Sequence, residues 1–238
     1  MSRASYLSCF LVSCCLVSNC FSQEVIELGR SLEDRPIEAR VFGENESDPV
    51  LLILASIHGS EPAGTPLVER FERWLVDHAD EWAGKRVAII PVANPDGYEK
   101  RERFNGNGVD LNRNFPAGNR VERKVHGESA LSEPESRALM RALQKFDPVR
   151  VVSLHQPVEC VDYDGPGEAL ASAMSEAIEG RLPVNKLGGR PGSMGSYVGV
   201  TLGRPIITLE LPEGAEELSE QELWDQYGAA LIAFVTFE

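Results

Sequence analysis

Four short apolar runs constrain the fold of this chain more than any other feature of its sequence. Each run is continuous and rich in β-branched residues or leucine, which is typical of strands that are buried on both faces. The runs are VLLILASI at 50–57, RVAIIPV at 86–92, VRVVSLH at 149–155 and RPIITLELP at 204–212. Two further strands are predicted near Glu24–Leu28 and Ile37–Phe42. Such strands predict a sheet that is covered by other layers of the protein.

Helical patterns lie between these runs. Residues 65–78 are predicted to form a helix, and a second helix is predicted over about 168–178. The apolar stripe of the first helix consists of Leu67, Val68, Phe71, Trp74 and Leu75. The sequence SEPE at 132–135 predicts a capping box that starts a helix, and Ser219 with Glu222 predicts another. The alternation of strands and helices predicts a layered α/β fold with a mostly parallel or mixed sheet.

The first 22 residues have the layout of a secretory signal peptide, with an early arginine, an apolar stretch over about 6–17 and then small and polar residues. Cleavage after Ser22 leaves a single domain over 23–238, without a predicted membrane span, in the periplasm or outside the cell. Two alternatives stay open. The LVSC sequence at 11–14 is similar to a lipoprotein signal, which predicts a lipid anchor, and the apolar stretch could also be retained as a membrane anchor.

Cysteine usage and charge exclude two classes of protein. Four of the five cysteines lie in the leader, so the mature chain keeps only Cys160 and no internal disulfide is expected. The formal net charge of −14 argues against a nucleic-acid-binding protein, which would usually carry a basic surface. The sequence contains no internal repeat and no coiled-coil heptads, and it therefore gives no indication of the oligomeric state.

Metal-binding residue types follow two of the apolar runs directly. His58 and Glu61 come after the first run, and His155 ends the third. Ligands of open α/β sheets bind outside the carboxyl ends of the strands, where these three side chains can converge. Two histidines and a glutamate form a ligand set of catalytic zinc, which leaves a fourth position open. The alternative is an ordinary polar turn after each strand.

Glu210 is an unexpected residue in the apolar sequence IITLELP. A carboxylate is costly to bury unless it is paired or used. The side chain could pair with an arginine or reach solvent at the end of the sheet. It could also act as a general base beside the metal, where a carboxylate takes a proton from an activated water at neutral pH.

An ordered series of motifs covers the chain from about residue 50 to 235. Besides His58-x-x-Glu61 and His155, the series contains NPDG at 94–97, GVDLNRNFP at 108–116 and TLELP at 208–212. This series resembles the zinc carboxypeptidase A-type metallopeptidases. The sequences ALSEPE and PGSMGSY, and the short domain, look like the bacterial murein peptide amidase branch of that family. The resemblance implies a three-layer α/β/α fold with a mixed, mostly parallel central sheet and one bound Zn²⁺.

The resemblance also implies roles for individual residues. By its motifs, His58, Glu61 and His155 match the zinc ligands, and Glu210 matches the catalytic base and acid.

A pair of arginines completes the set that the resemblance implies. Arg103 matches the arginine that polarises the scissile carbonyl, with Arg101 as a rival for this role. Asn112 and Arg113 match the pair that binds the terminal carboxylate of the substrate, a task for which a guanidinium fork is suited.

Two features depart from the family pattern or leave it open. The tyrosine that many carboxypeptidases place over the substrate has no clear counterpart, and Tyr197 fits a core aromatic better. Asp162 and Asp164 follow His155 in the sequence HQPVECVDYDGPG. They are predicted either to bind a second amino group on the substrate, with Asp162 as the substrate-binding residue, or to form turns in a loop.

The function predicted from these residues is zinc-dependent hydrolysis of an amide bond next to a C-terminal amino acid. The resemblance implies the γ-D-glutamyl–diaminopimelate bond of murein peptides as the substrate. Three alternatives stay open: a general metallocarboxypeptidase that acts on ordinary peptides, a related acyl-amino-acid deacylase, and a non-catalytic binding module with the same fold.

Overall fold

The computed structural model describes residues 23–238, and the predicted signal peptide over 1–22 lies outside this part of the chain. The seven strands are β1 (Glu24–Arg30), β2 (Pro36–Phe42), β3 (Val50–Leu54), β4 (Arg86–Ile90), β5 (Arg150–His155), β6 (Val158–Asp164) and β7 (Ile206–Pro212). The five helices are α1 (Gly64–Asp77), α2 (Pro95–Lys100), α3 (Pro134–Phe146), α4 (Glu168–Ala177) and α5 (Glu220–Thr236).

The seven strands form one mixed sheet in the order β1-β2-β4-β3-β5-β7-β6. The central strands β4, β3, β5 and β7 are parallel to one another, whereas the outer strands β2 and β6 pair antiparallel with them. Because the four central strands point the same way, their carboxyl ends meet at one edge of the sheet. The prediction of a mixed sheet is confirmed, with the parallel pairs confined to its centre.

Helices and loops cover both faces of the sheet. One core contains the apolar sides of α1, α4 and α5, including Phe71, Met174 and Phe234. The other core contains α3 together with parts of the long connections, including Leu139 and Phe115. The three-layer α/β/α architecture is therefore confirmed. None of the helices within residues 23–238 is long and apolar enough to span a membrane.

One local prediction was wrong, and it has a physical reason. The capping box at 132–135 does not form, because α3 begins after Glu133 and Pro134 occupies its first turn. The hydroxyl of Ser132 instead lies 3.1 Å from the side-chain amide of Asn114. The predicted capping box of Ser219 and Glu222 does form, at the start of α5.

The strand β6 was not predicted, and turns in a loop were one of the two alternatives left open for Asp162 and Asp164. Its apolar residues Val161 and Tyr163 pack into the core of α1, α4 and α5. The alternate residues Asp162 and Asp164 lie on the other face of the strand, where they line a cavity. The strand was difficult to predict because its polar face lines a cavity, whereas the polar face of an ordinary antiparallel edge strand is exposed to solvent.

The turn after β3 packs against the NPDG motif. Asn94 caps α2, since its side-chain oxygen accepts a hydrogen bond of 3.0 Å from the amide of Gly97. Gly59 lies so close to Gly97 that a Cβ atom on Gly59 would overlap the backbone carbonyl group of Gly97. This contact between two backbones fixes the position of His58, the residue before Gly59.

We expect Gly59→Ala to destabilise the protein by about 1–3 kcal/mol, because neither backbone can move away without displacing a packed loop. Urea unfolding measures this change as a lower transition midpoint. The matched control is Gly118→Ala, since a Cβ atom on Gly118 would meet nothing within 4 Å. That variant should stay within about 0.5 kcal/mol of the parent chain. Equal stabilities for the two variants would contradict the close approach.

Candidate metal centre

The three residues predicted to bind metal come together at the carboxyl edge of the sheet. His58, Glu61 and His155 place one ligand atom each within 4.8 Å of one another, and all three are buried. The Nδ1 atom of His58 lies 2.9 Å from Oε1 of Glu61, and Nδ1 of His155 lies 2.8 Å from Oε2. The carboxylate therefore stands between two imidazoles that both turn Nδ1 toward it.

One atom of this group has no hydrogen-bond partner. Among the described residues, Nδ1 of His58 is buried and forms no hydrogen bond, although it lies near Glu61. A buried polar atom of this kind requires an explanation, such as an ion. Two imidazole nitrogens and a carboxylate oxygen are a donor set that zinc prefers, and the residues therefore fit the metal.

The surroundings of Glu61 favour the ionised form of its carboxyl group, which is the form that binds a metal. Burial alone would raise the pKa of Glu61, but the hydrogen bond to His155 and the close approach of the His58 imidazole outweigh it and hold the pKa well below its usual range. The carboxylate is thus ionised at neutral pH, as metal coordination requires.

Asp110 is part of this centre and was not predicted from the sequence. Its Oδ1 atom lies 3.0 Å from Nε2 of His58, on the side of the ring away from Glu61. The hydrogen bond orients the imidazole and leaves Nδ1 free for a metal, an arrangement common around zinc-bound histidines. The position of Asp110 in GVDLNRNFP, two residues before Asn112, is the signal that could have identified it.

Arg103 contacts both acidic groups. Its Nη1 atom donates to Glu61 over 2.8 Å, and its Nη2 atom donates to Asp110 over 3.0 Å. Its rival Arg101 is exposed and stacks on Tyr98, with its guanidinium carbon 4.4 Å from the ring centroid. The geometry therefore places Arg103, and not Arg101, at the metal centre.

Glu210 lies beside His155 in the sheet, because the two residues are paired in the register of β5 and β7. The side chain is half-buried and lines the same cavity as the metal-binding group. Within residues 23–238 it forms no ion pair, so the predicted alternative of an arginine partner is not observed. Burial raises the pKa of Glu210, with His155 acting against this and Glu61 adding to it.

Asn112 and Arg113 line the cavity next to the metal-binding group. Asn112 is held from two sides, since its side-chain oxygen accepts from the amide of Met194 over 2.9 Å and its amide nitrogen lies 3.5 Å from Nε2 of His155. Arg113 is half-buried, and burial lowers its pKa. An amide and a guanidinium at the same wall can bind a carboxylate.

The cavity has a volume of about 260 Å³ and extends from the metal-binding group along β6 and β7. Asp162 and Asp164 line it on the side of β6, so the interpretation of these residues as turn formers was wrong. Tyr197 packs against Phe115, with 6.3 Å between the ring centroids, which supports a structural role. Cys160 is buried, as expected of a packed side chain.

Comparison with known proteins decides the family. The family described as zinc carboxypeptidase, Peptidase_M14, matches residues 19–164 of the chain. This match covers more than half of the chain and includes all three metal-binding residues. The chain belongs to the zinc carboxypeptidase family. It is a zinc metallopeptidase, and its cofactor is Zn²⁺.

Relatives of this zinc carboxypeptidase include both amidases and carboxypeptidases. Murein peptide amidase A of Escherichia coli (strain K12) is 33% identical over 190 residues, which cover 73% of this chain and 76% of the relative. Carboxypeptidase SOL1 of Arabidopsis thaliana is 34% identical over 144 residues, which cover 58% of this chain and 27% of the relative.

Among solved structures, the murein-tripeptide amidase of Escherichia coli O157 superposes with a TM-score of 0.70 at 28% sequence identity. The superposition covers 92% of this chain and 94% of that one. The carboxypeptidase A of Helicoverpa armigera superposes with a TM-score of 0.74 at 23% identity and covers 90% of this chain and 69% of that one, which shows the shared fold.

We expect Asp110→Asn to weaken zinc binding by roughly 10- to 100-fold, because the neutral amide no longer orients His58 as the carboxylate does. Competition with a chromogenic chelator measures the zinc affinity. The matched control is Asp162→Asn. Asp162 lines the same cavity, but its side chain accepts a hydrogen bond from the amide of Leu187 and from none of the metal-binding residues. Unchanged zinc affinity in Asp110→Asn would contradict the role of this hydrogen bond.

Proposed function

We propose that this zinc carboxypeptidase hydrolyses murein peptides at the γ-D-glutamyl–diaminopimelate bond and releases the C-terminal diamino acid. The observation that carries the proposal is one cavity that joins the metal-binding group, the pair Asn112 and Arg113, and the carboxylates of Asp162 and Asp164. The pair suits the free carboxylate of a terminal residue, and the acidic groups suit its second amino group. The similarity to murein peptide amidase A supports the same substrate class.

In the proposed reaction, Asn112 and Arg113 bind the carboxylate of the leaving residue and so direct the enzyme to the last amide bond of the chain. When bound by His58, Glu61 and His155, zinc supplies Lewis-acid chemistry that polarises the amide carbonyl and makes water more acidic.

Proton transfer in the proposed reaction is assigned to Glu210. This carboxylate takes a proton from the attacking water and later delivers it to the nitrogen of the departing amine. Arg103 donates hydrogen bonds toward the carbonyl oxygen, where negative charge develops. In the structure it donates to Glu61 and Asp110, which keep its guanidinium at the metal centre.

We also propose that the chain is exported, so that it acts on the cell wall from the periplasm or from outside the cell, free or attached to a lipid. The leader sequence over 1–22 supports export. Mass determination of the mature N-terminus from the producing cell tests this proposal. A chain that begins near Gln23 supports signal cleavage, and one that retains Met1 contradicts it.

The experiment that tests the function uses the purified chain with measured zinc content and the tripeptide L-Ala-γ-D-Glu-meso-diaminopimelate. We expect one zinc per chain and release of diaminopimelate that stops with a chelator and returns with zinc. The control substrate is the same tripeptide with its terminal carboxylate converted to an amide, which Arg113 cannot bind as an anion.

Other outcomes of this experiment separate the competing functions. Zinc-dependent release from ordinary peptides, with the tripeptide left intact, would make the chain a general metallocarboxypeptidase. Stoichiometric zinc without turnover of any peptide would favour a non-catalytic binding module.

A further inference from the structure

A connection of two residues, Gln156 and Pro157, joins β5 to β6. Because β7 lies between these two strands in the sheet, the connection crosses β7. It does so near Glu210, since His155 at the end of β5 and Cys160 in β6 both pair with Glu210. The connection therefore lies next to both the metal-binding group and the carboxylate that is proposed as the base.

Backbone amides of this connection contact two acidic side chains of the site. The amide of Gln156 donates to Oε2 of Glu61 over 3.3 Å, and the amide of Val158 lies 3.5 Å from Oε2 of Glu210. Pro157, between these two residues, has no N–H group to donate. The position of one short connection thus affects both a metal-binding carboxylate and the proposed base.

The side chain of Gln156 holds this connection from two sides. Its oxygen accepts a hydrogen bond of 3.0 Å from the amide of Ala63, two residues after Glu61. Its nitrogen donates over 2.7 Å to Oε2 of Glu216, in the short helical turn that follows β7. Gln156 is 6% exposed, so loss of either bond would leave a buried polar group without its partner.

Each bond of the Gln156 side chain reaches a segment that contains or follows one of the two acidic residues. Ala63 is close to Glu61 in the chain, and Glu216 follows Glu210 after the end of β7. A side chain that is bonded to both segments limits how far they can move apart. An apolar side chain of similar size would fill the same volume without this restraint.

We infer that Gln156 is a positioning residue that sets the separation between the metal-binding carboxylate of Glu61 and the carboxylate of Glu210. It acts through its own backbone amide and through the two segments that its side chain joins. The part of the inference that concerns Glu210 as a base rests on the proposed function and deepens it. The part that concerns Glu61 and the metal does not depend on the substrate.

The first test is Gln156→Met, because methionine has nearly the same size and shape as glutamine but no amide group. Zinc affinity, measured by chelator competition, should fall roughly 10- to 100-fold, as when a group that orients a metal-binding residue is lost. With Co²⁺ in place of zinc, the visible absorption spectrum should change, because it reports the geometry of the metal centre. The matched control Gln144→Met, at an exposed position of α3, should leave both quantities unchanged.

The second test is Glu216→Ala, which removes only the bond on the side of β7. Glu216 is exposed, so this variant should fold even where Gln156→Met is less stable. In the zinc-saturated protein, kcat for the murein tripeptide should fall roughly 10- to 100-fold, the cost of a small displacement of a catalytic group. Zinc affinity should stay within about twofold of the parent chain, because the bond to Ala63 remains. Adding Glu216→Ala to Gln156→Met should not lower kcat further, since the bond is already absent.

Unchanged zinc affinity and an unchanged Co²⁺ spectrum in Gln156→Met would overturn the inference. Additive losses of kcat in the double variant would also overturn it, because the two residues would then act independently. Urea unfolding of the metal-free proteins defines the conditions in which each variant is fully folded, and all comparisons are made there. A parent chain that binds zinc but leaves the tripeptide intact would contradict the proposed function alone, because zinc affinity and the Co²⁺ spectrum do not require turnover.

Discussion

Glu210→Gln should reduce kcat/KM for the proposed murein tripeptide by roughly 10²- to 10⁴-fold, the usual contribution of a general base and acid. Glutamine has nearly the same shape as glutamate but cannot accept the proton of the attacking water. Zinc content should not change, because Glu210 is paired with His155 in the sheet and is not among the three grouped metal-binding residues. Steady-state kinetics and metal analysis of the same preparation measure both quantities.

The matched control for this variant is Glu213→Gln, in the exposed turn that follows β7. It removes the same charge three residues away and should leave kcat/KM within about twofold, because surface substitutions of this kind change little. A Glu210→Gln protein that retains full turnover would exclude Glu210 as the base.

Glu61→Ala should weaken zinc binding by more than roughly 100-fold, since even the loss of a group that only orients a ligand costs 10- to 100-fold. The variant also removes the carboxylate that contacts the imidazoles of His58 and His155 and the guanidinium group of Arg103. We therefore expect the metal-free protein to lose about 3–5 kcal/mol of unfolding free energy, as for a broken buried ion pair. Chelator competition and urea unfolding measure the two effects.

Glu72→Ala separates these two effects. Glu72 is a buried carboxylate on α1 that forms an ion pair of 2.8 Å with Arg40, and neither residue lines the cavity. This variant should lower stability and leave zinc affinity unchanged. If Glu61→Ala bound zinc as tightly as the parent chain, His58 and His155 would have to bind the metal without the carboxylate, against the observed grouping.

Much of the centre follows from local sequence because its residues are attached to strong strand signals. His155 ends the buried strand β5, His58 follows the apolar strand β3 by four residues, and Glu210 interrupts the mostly apolar strand β7. Parallel strands bring their carboxyl ends to one edge, so the convergence of these side chains was predictable from the pattern. Within residues 23–238, the structure groups His58, Glu61 and His155 as predicted.

Residues supplied by irregular segments were harder to predict. Asp110, Arg103 and Asn112 lie in the long connection between α2 and α3, where no periodicity fixes the direction of a side chain. Asp110 reaches His58 across 52 positions of the sequence. The choice between Arg101 and Arg103 likewise depends on how this connection folds back onto the centre.

The sequence by itself determined the layered α/β fold, the metal-binding group and the family, because apolar strands and the ordered motifs are local properties of the chain. Only the tertiary structure decided that Asp110 orients His58, that β6 is a strand and that Asp164 lines the cavity. These facts depend on which distant segments come within hydrogen-bond distance of one another. Such contacts arise from packing across the sheet, and the spacing of residues along the chain does not contain them.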